Sequence, residues 1–322
     1  MDKHCEKGIE EYRELIQPHI AYCTTCQPYD GGDVVWIFGN RTDLEELFDE
    51  YEIPDNLREE LVVNLHCQNC GRELCRYDDI GIKTQIELEA DRRWDDWHQN
   101  YDWKIDEFGD FLEKYPYLGL NHEIGEKLHS TISNFPKTDI KEEIWWRARK
   151  PMDGKRLSIE DMYPPRFPEA EGRFNHYGQS VFYLASTAEA AMIEILDKGE
   201  CLAWVQQFSI KEISNLLDLS NHVSAEEDVP ILALGLINVK LPSIVVPNKK
   251  SPWKPEYFIP RFIADCAKNQ GFSGIIFNSP EHYERNLVLF KWDEHSILPI
   301  NEPRTLELKR SKEKGSSSFL IN

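Results

Sequence analysis

The sequence predicts an α+β protein of two dissimilar domains, and three observations carry that reading. Two Cys-x-x-Cys pairs, Cys23/Cys26 and Cys67/Cys70, fall in the first 70 of 322 residues. The formal charge of -20 is lopsided: residues 1–140 hold 14 Lys and Arg against 32 Asp and Glu, the remainder 23 against 25. Strand-like and helix-like segments then alternate through the second half. The expected division is an acidic domain over 1–140, a second domain over 141–303 and a disordered polar tail over 304–322. Either domain is long enough to bury a core.

Composition excludes several classes. The acidic half repels phosphates, because duplex binding needs Lys and Arg to displace counterions, so no nucleic acid is expected as a partner. No stretch approaches the roughly 18 apolar residues that a membrane span requires. The first residues are polar and acidic, with neither a secretory nor a transit pattern, so a cytoplasmic protein is expected. In that compartment eight cysteines read as thiols or metal ligands, not as disulfides.

In the first half, Glu6 to Ile20 reads as a helix that Pro18 can end early, Val34 to Phe38 as a short buried strand, and Thr42-Asp43 as a helix start. Arg58 to Leu65 reads as another short helix. From Ala90 to Tyr117 an acidic helical region carries Trp94, Trp97, Tyr101, Phe108 and Leu112 on one stripe. Acidic residues interleave the aromatics, so packing is the better reading than base stacking. Pro136 marks the expected boundary. Beyond it, strands are expected at Glu143 to Ala148, Ser180 to Ala185, Leu202 to Ile210, Ile231 to Leu241, Gly274 to Asn278 and Asn286 to Trp292. Helices are expected at Thr187 to Asp197, briefly from Lys211, and from Pro255 to Asn269, with Gly271 as a stop.

The cysteine pairs point to zinc. Each can give two sulfurs to one tetrahedral ion, Gly71 supplies a turn after the second pair, and 40 residues separate the pairs. Four thiolates leave no position for water, so Cys23, Cys26, Cys67 and Cys70 are expected to hold a structural ion. Cys5, Cys75, His4 and His66 are weaker substitutes. The acidic half thus reads as a zinc-binding α/β module.

The second half carries a set of scattered polar residues. Trp146-Arg147-Ala148-Arg149 lies on one strand, Gly172-Arg173-Phe174-Asn175 with Gly178 forms a turn, Tyr183 follows on a strand, Glu194 on a helix, and Ser279 after a late strand. Ser186-Thr187-Ala188-Glu189 reads as a capping box opening that helix. Glu194 falls about 120° from the centre of the Ala188, Ala191, Met192, Ile195 stripe, at roughly 100° per residue, where it can line a cleft. Alternation points Arg147 and Arg149 the same way, so the two compete for one role. No Gly-x-Gly-x-x-Gly turn follows a strand, which argues against a Rossmann hydride-transfer enzyme.

In order and rough spacing, this set resembles the RES domain, over about half the chain. The resemblance implies a mixed, curved sheet flanked by helices, related to ADP-ribosyltransferase toxins, and NAD+ as substrate. It implies that Arg147 and Arg173 hold the pyrophosphate or orient the carboxylate, with Arg149 and Asn175 as further substrate contacts. Tyr183 would pack by nicotinamide or ribose, Glu194 would face the developing positive charge, and Ser279 would bond at the nicotinamide end. The expected function is an NAD+-consuming toxin or defence effector that passes ADP-ribose to phosphate or water. A protein ADP-ribosyltransferase using the same cleft, or an inactive zinc-dependent adaptor, are the alternatives. An antitoxin or regulatory partner and a homo-oligomer are expected with it. The acidic half resembles, more weakly, the zinc-bearing domain sometimes joined to RES or HEPN domains.

Overall fold

The computed structural model describes residues 8–151, 155–167, 171–197, 199–221, 229–246, 251, 253–280, 284–310 and 319–320. The chain divides into two compact units at Arg93/Trp94. No described helix is long and apolar enough to cross a membrane.

The first unit is small. Helix α1 (Ile9–Ile16) is closed at its start by Glu11, whose carboxylate accepts the Gly8 N–H at 3.0 Å, and it ends in a 3-10 turn through Pro18. Strand β1 (Ile20–Cys23) follows, then the two-residue β2 (Tyr29–Asp30) and β3 (Asp33–Val34), and β4 (Asn40–Asp43). Helix α2 (Leu44–Glu50) starts where Asp43 accepts the Glu46 N–H at 2.7 Å, a side-chain cap for an otherwise orphaned donor. Helix α3 (Asp55–Val62) follows, and strand β5 (Asp79–Ile82) completes a three-stranded antiparallel sheet, ordered β1-β5-β4, over a core of Ile16, Ile20, Phe48, Leu61 and Ile80.

One strand expected here does not form. Val35, Ile37 and Phe38 are 41–58% exposed, and only Asp33–Val34 pairs. The buried Gln27 takes the place of a partner strand: its Oε1 accepts the Ile37 and Phe38 N–H groups and its Nε2 donates to the Phe38 carbonyl. The apolar run is a loop pinned by one amide.

The division falls within helix α4 (Gln85–Asn100), so the expected boundary near residue 140 is displaced. Helices α5 (Asp102–Lys114) and α6 (Glu123–Ser133) belong to the second unit. Tertiary contacts hold them there. Phe108 meets Phe262 edge-on at 5.1 Å, and His129 bonds Asn269 at 3.0 Å. Trp97, Phe108 and Leu112 of the aromatic stripe are buried, as packing requires, whereas Trp103 and Tyr115 are exposed.

The rest of this unit runs β6 (Lys137–Arg149), α7 (Ile159–Met162), β7 (Phe182–Ala185), α8 (Ala188–Ile195), β8 (Leu202–Leu219), α9 (Ile231–Gly235), α10 (Leu241–Ser243), α11 (Phe258–Asn269), β9 (Gly274–Asn278), β10 (Arg285–Leu289) and β11 (Ile297–Glu307). The sheet order is β11-β8-β6-β7-β10-β9, and β9 also pairs with β8. Five strands therefore close on themselves with β11 added outside, an arrangement that removes most exposed edges. All pairs are antiparallel except β8–β9, so the sheet is mixed. Its core packs Trp145, Phe182, Phe208, Leu216, Ile276 and Leu287, with Phe182 edge-on to Phe208 at 5.2 Å.

Three expectations for this half are corrected. Ile231 to Leu241 is not a strand but α9, a π-turn over Leu236–Lys240, and α10. Pro230 opens it, and Gly235 accepts the Trp97 ring so closely that a Cβ there would lie 2.0 Å from it. No helix starts at Lys211. The 18-residue β8 continues instead, with Asn215 at φ 63 between the part facing β11 and the part facing β9. Strand β11, not expected, carries the sheet to Glu307, past the expected end at 303. Of the expected tail, 311–318 and 321–322 lie outside the described residues.

Candidate functional site

A cleft of about 290 Å³ opens beside the closed sheet. Its floor is one transverse row: Phe277 pairs with Asn286, Asn286 with Ala185, and Ala185 with Trp146. Side chains paired across antiparallel strands share a face, so four strands contribute to a single surface. All four of these residues line the cleft, together with Arg147, Gly172, Arg173, Tyr183, Glu194 and Tyr257.

Glu194 reaches it from α8. The helix is capped by Thr187, whose Oγ1 accepts the Ala190 N–H at 3.1 Å. The expected cap, Ser186, instead donates its hydroxyl to Glu284 at 3.0 Å, which moves the helix start by one residue. Ala188, Ala190, Ala191 and Met192 are buried and fix the helix, leaving Glu194 half-buried at the cleft. Its Oε1 accepts a 2.8 Å hydrogen bond from Asn286 Nδ2.

Arg147 enters where β6 and β7 share only the Trp146–Ala185 pair. Its Nη1 donates to the Tyr183 carbonyl at 3.3 Å, its guanidinium lies 5.1 Å from the Phe182 ring centre, and its buried Nε has no partner among the described residues. Burial, and then the neighbouring Arg149 charge, push its pKa down to about 9, against the opposing influence of Tyr183. A half-buried cation with no paired carboxylate among the described residues favours an anion beside it. Arg149 shares the strand face but bonds the Tyr163 carbonyl at 2.8 Å and does not line the cleft, so of the two only Arg147 is a lining residue.

The Gly172–Asn175 turn is clamped from below. The Tyr183 hydroxyl accepts the Phe174 N–H at 2.9 Å and donates to Asn175 Oδ1 at 3.0 Å. A Cβ on Gly172 would meet Asn175 Oδ1 at 2.4 Å and the Tyr183 oxygen at 2.6 Å, so only glycine allows the close approach. Arg261, 3% exposed, donates to the Gly172 carbonyl at 3.0 Å and pairs with Glu171 at 2.8 Å. This clamp presents Arg173, which lies 5.5 Å from the Tyr257 ring centre and donates to the Ile244 carbonyl at 3.2 Å. Arg173 and Phe277 also wall a second cavity of about 100 Å³ that includes Ser220, Asn238 and Asn278.

The structure therefore brings together Arg147, Arg173, Tyr183 and Glu194. Asn175 is 4% exposed, and its amide is spent on Tyr183 and on the His176 and Gln179 carbonyls, so it shapes the turn instead of facing the cleft. Ser279, 1% exposed, follows β9; its N–H donates to the Glu284 carbonyl, and it is not a lining residue. His176 pairs with Asp265 at 2.7 Å, away from the lining. Sequence reasoning missed Asn286, Tyr257 and Phe277. The one available signal was Asn286 itself, a polar residue heading the apolar run Leu287-Val288-Leu289.

In the first unit the four expected cysteine sulfurs lie within 4.8 Å of one another. Cys23 Sγ is 3.9 Å from Cys26 and 3.6 Å from Cys70, and Cys26 is 3.5 Å from Cys67. Zinc–sulfur bonds of about 2.3 Å in a tetrahedron require sulfurs roughly 3.8 Å apart. The donor set therefore fits such an ion. Gly71, at φ 72, turns the chain so that its N–H reaches the Cys67 carbonyl at 2.8 Å, and Asn69 Nδ2 donates to Cys26 Sγ at 3.3 Å. Cys75 and His66 are not in the cluster, and Cys5 and His4 lie outside the described residues.

A closed mixed sheet with an acidic and two cationic side chains over one cleft defines an α+β domain that gathers both charges around a single space. The RES domain model matches residues 144–310, and the chain belongs to that family. No curated protein matches it. Among solved structures, a chain of the M. tuberculosis MbcT–MbcA toxin–antitoxin complex is similar, at 17% identity and a TM-score of 0.38, covering 57% of this chain and 92% of that one.

Proposed function

We propose that the second unit cleaves the nicotinamide–ribose bond of NAD+ and passes ADP-ribose to phosphate or water, as a toxin or defence effector would. The observation that carries this reading is the Glu194 carboxylate, held by Asn286 in the same cleft as Arg147 and Arg173. The C1′–N bond breaks and its electron pair leaves with neutral nicotinamide, so charge builds on an oxocarbenium-like ribose. Glu194 supplies the fixed negative charge that this transition state needs. Arg147 and Arg173 offer planar donors to the pyrophosphate. An oxygen of phosphate or water then attacks C1′, giving phosphorylated ADP-ribose, or ADP-ribose and a proton. Tyr183 acts through the turn that it clamps.

The four cysteines we read as a structural zinc site, closed to water and independent of the cleft chemistry. An antitoxin that plugs the cleft would be the natural control for an activity that drains NAD+. The deciding experiment is product analysis from NAD+ with and without phosphate. Phosphorylated or free ADP-ribose names the acceptor, labelled protein would favour the transferase alternative, and intact NAD+ with folded protein sinks the proposal.

A further inference from the structure

We infer that Asn286 is a two-sided ligand-reading residue: its amide N–H positions Glu194, and its Oδ1 accepts a hydrogen bond from an uncharged N–H or O–H donor of the bound molecule. This rests on the NAD+ reading for the identity of that molecule and deepens it. Asn286 sits in the middle of the transverse row, between Phe277 and Ala185, is 3% exposed, and lines the cleft. Nδ2 donates to Glu194 Oε1 at 2.8 Å, whereas Oδ1 is buried with no partner among the described residues.

The amide orientation follows from charge. Turned over, it would set its oxygen against the Glu194 carboxylate, so an ionised Glu194 selects the N–H towards itself and sends Oδ1 the other way. A buried acceptor left unpaired is costly, and an amide satisfied on one side only is an open half of a hydrogen-bonded network. In a cleft-lining residue, the group that completes it belongs to the ligand. Two parts of NAD+ offer such a donor near the ribosyl carbon, the carboxamide NH2 of nicotinamide and the ribose hydroxyls. By holding Glu194 and reading that donor with one rigid side chain, Asn286 ties placement of the carboxylate to recognition of the substrate. It is a positioning residue for Glu194, not itself a source of charge.

The test has two arms. In the unliganded protein, the Asn286 side-chain NH2 should show slowed hydrogen exchange by NMR, lost in Glu194→Ala. Equal exchange in both proteins would overturn the positioning role. In the second arm, calorimetry compares nicotinamide, nicotinic acid and ADP-ribose on the wild type, Asn286→Leu and the smaller Asn286→Ala, each checked for folding by its melting curve. One ligand should weaken by about 10-fold or more in both variants. Nicotinamide weakening while nicotinic acid does not names the carboxamide, and ADP-ribose weakening names a hydroxyl. Unchanged affinities overturn the acceptor role alone. Absence of nicotinamide and ADP-ribose binding to the wild type removes the NAD+ reading and the acceptor role together, while the exchange arm still decides the contact with Glu194.

Discussion

Tyr183 and Asn175 are joined by a 3.0 Å hydrogen bond that places the phenol beneath the arginine turn, not free in the cleft. The same oxygen accepts the Phe174 N–H. Tyr183→Phe keeps the ring and strands two buried groups, so it should cost ~2 kcal/mol of stability by denaturant titration. Activity should fall through a raised KM, as Arg173 loses its fixed support. Burial holds the Tyr183 pKa well above its ordinary value, with the Phe174 N–H opposing. A raised folded value means that this contribution is complete below the unfolded pKa, roughly 10, and is lost as pH climbs above it. Wild type should therefore lose stability above about pH 10 more steeply than Tyr183→Phe; identical alkaline slopes would contradict the buried phenol.

Arg147 makes the opposite case. Burial lowers its pKa to about 9, and its side chain's only hydrogen bond among the described residues is to the Tyr183 carbonyl. Desolvating a charge costs free energy, and no carboxylate among the described residues pairs with Arg147 to offset it, so an apolar side chain of similar volume removes that cost. Arg147→Met should thus melt higher than wild type when unliganded. Inorganic pyrophosphate should raise the melting temperature of the wild type by clearly more than that of the Met variant, which keeps only Arg173. A variant that melts lower and responds to pyrophosphate as fully as the wild type would remove Arg147 from anion binding.

The cysteine cluster predicts about one zinc per chain by metal analysis. Cys67→Ser with Cys70→Ser should lose the ion and unfold the first unit, because structural zinc contributes roughly 10–16 kcal/mol of apparent binding energy to the fold. The RES unit should keep its near-ultraviolet spectrum. Full zinc retention in the double variant would place the ion elsewhere.

Much of this site was legible because its chemistry is local. The Cys-x-x-Cys pairs, the Thr187-led helix bearing Glu194 and the Gly172-Arg173 turn each show in a few consecutive residues. What failed depends on residues far apart in the chain. Ile231 to Leu241 has an apolar run that suits a strand, whereas its helix packs Gly235 against the Trp97 ring, a partner far away in the chain. Asn286 joins the cleft through its register with Ala185, which no local pattern encodes. Ser279 and Asn175 match the family pattern, yet their neighbours enclose them, so a motif located them in sequence without setting their exposure.

Glu194→Gln is the sharpest test of the mechanism. Glutamine keeps the size and can still accept from Asn286, so the fold and the 2.8 Å contact should survive. What disappears is the negative charge facing the ribosyl cation. If that charge matters as much as one oxyanion-hole donor does elsewhere, kcat should fall by roughly 10²–10³ with an unchanged melting temperature. Glu189 is the control, a first-turn acid on the same helix that is absent from the cleft lining. Glu189→Gln should cost only about 0.3–1 kcal/mol, through the helix dipole, and leave kcat near the parent value. Turnover of NAD+ by Glu194→Gln at the parent rate would show that the carboxylate does not stabilise the transition state, whatever else the cleft binds.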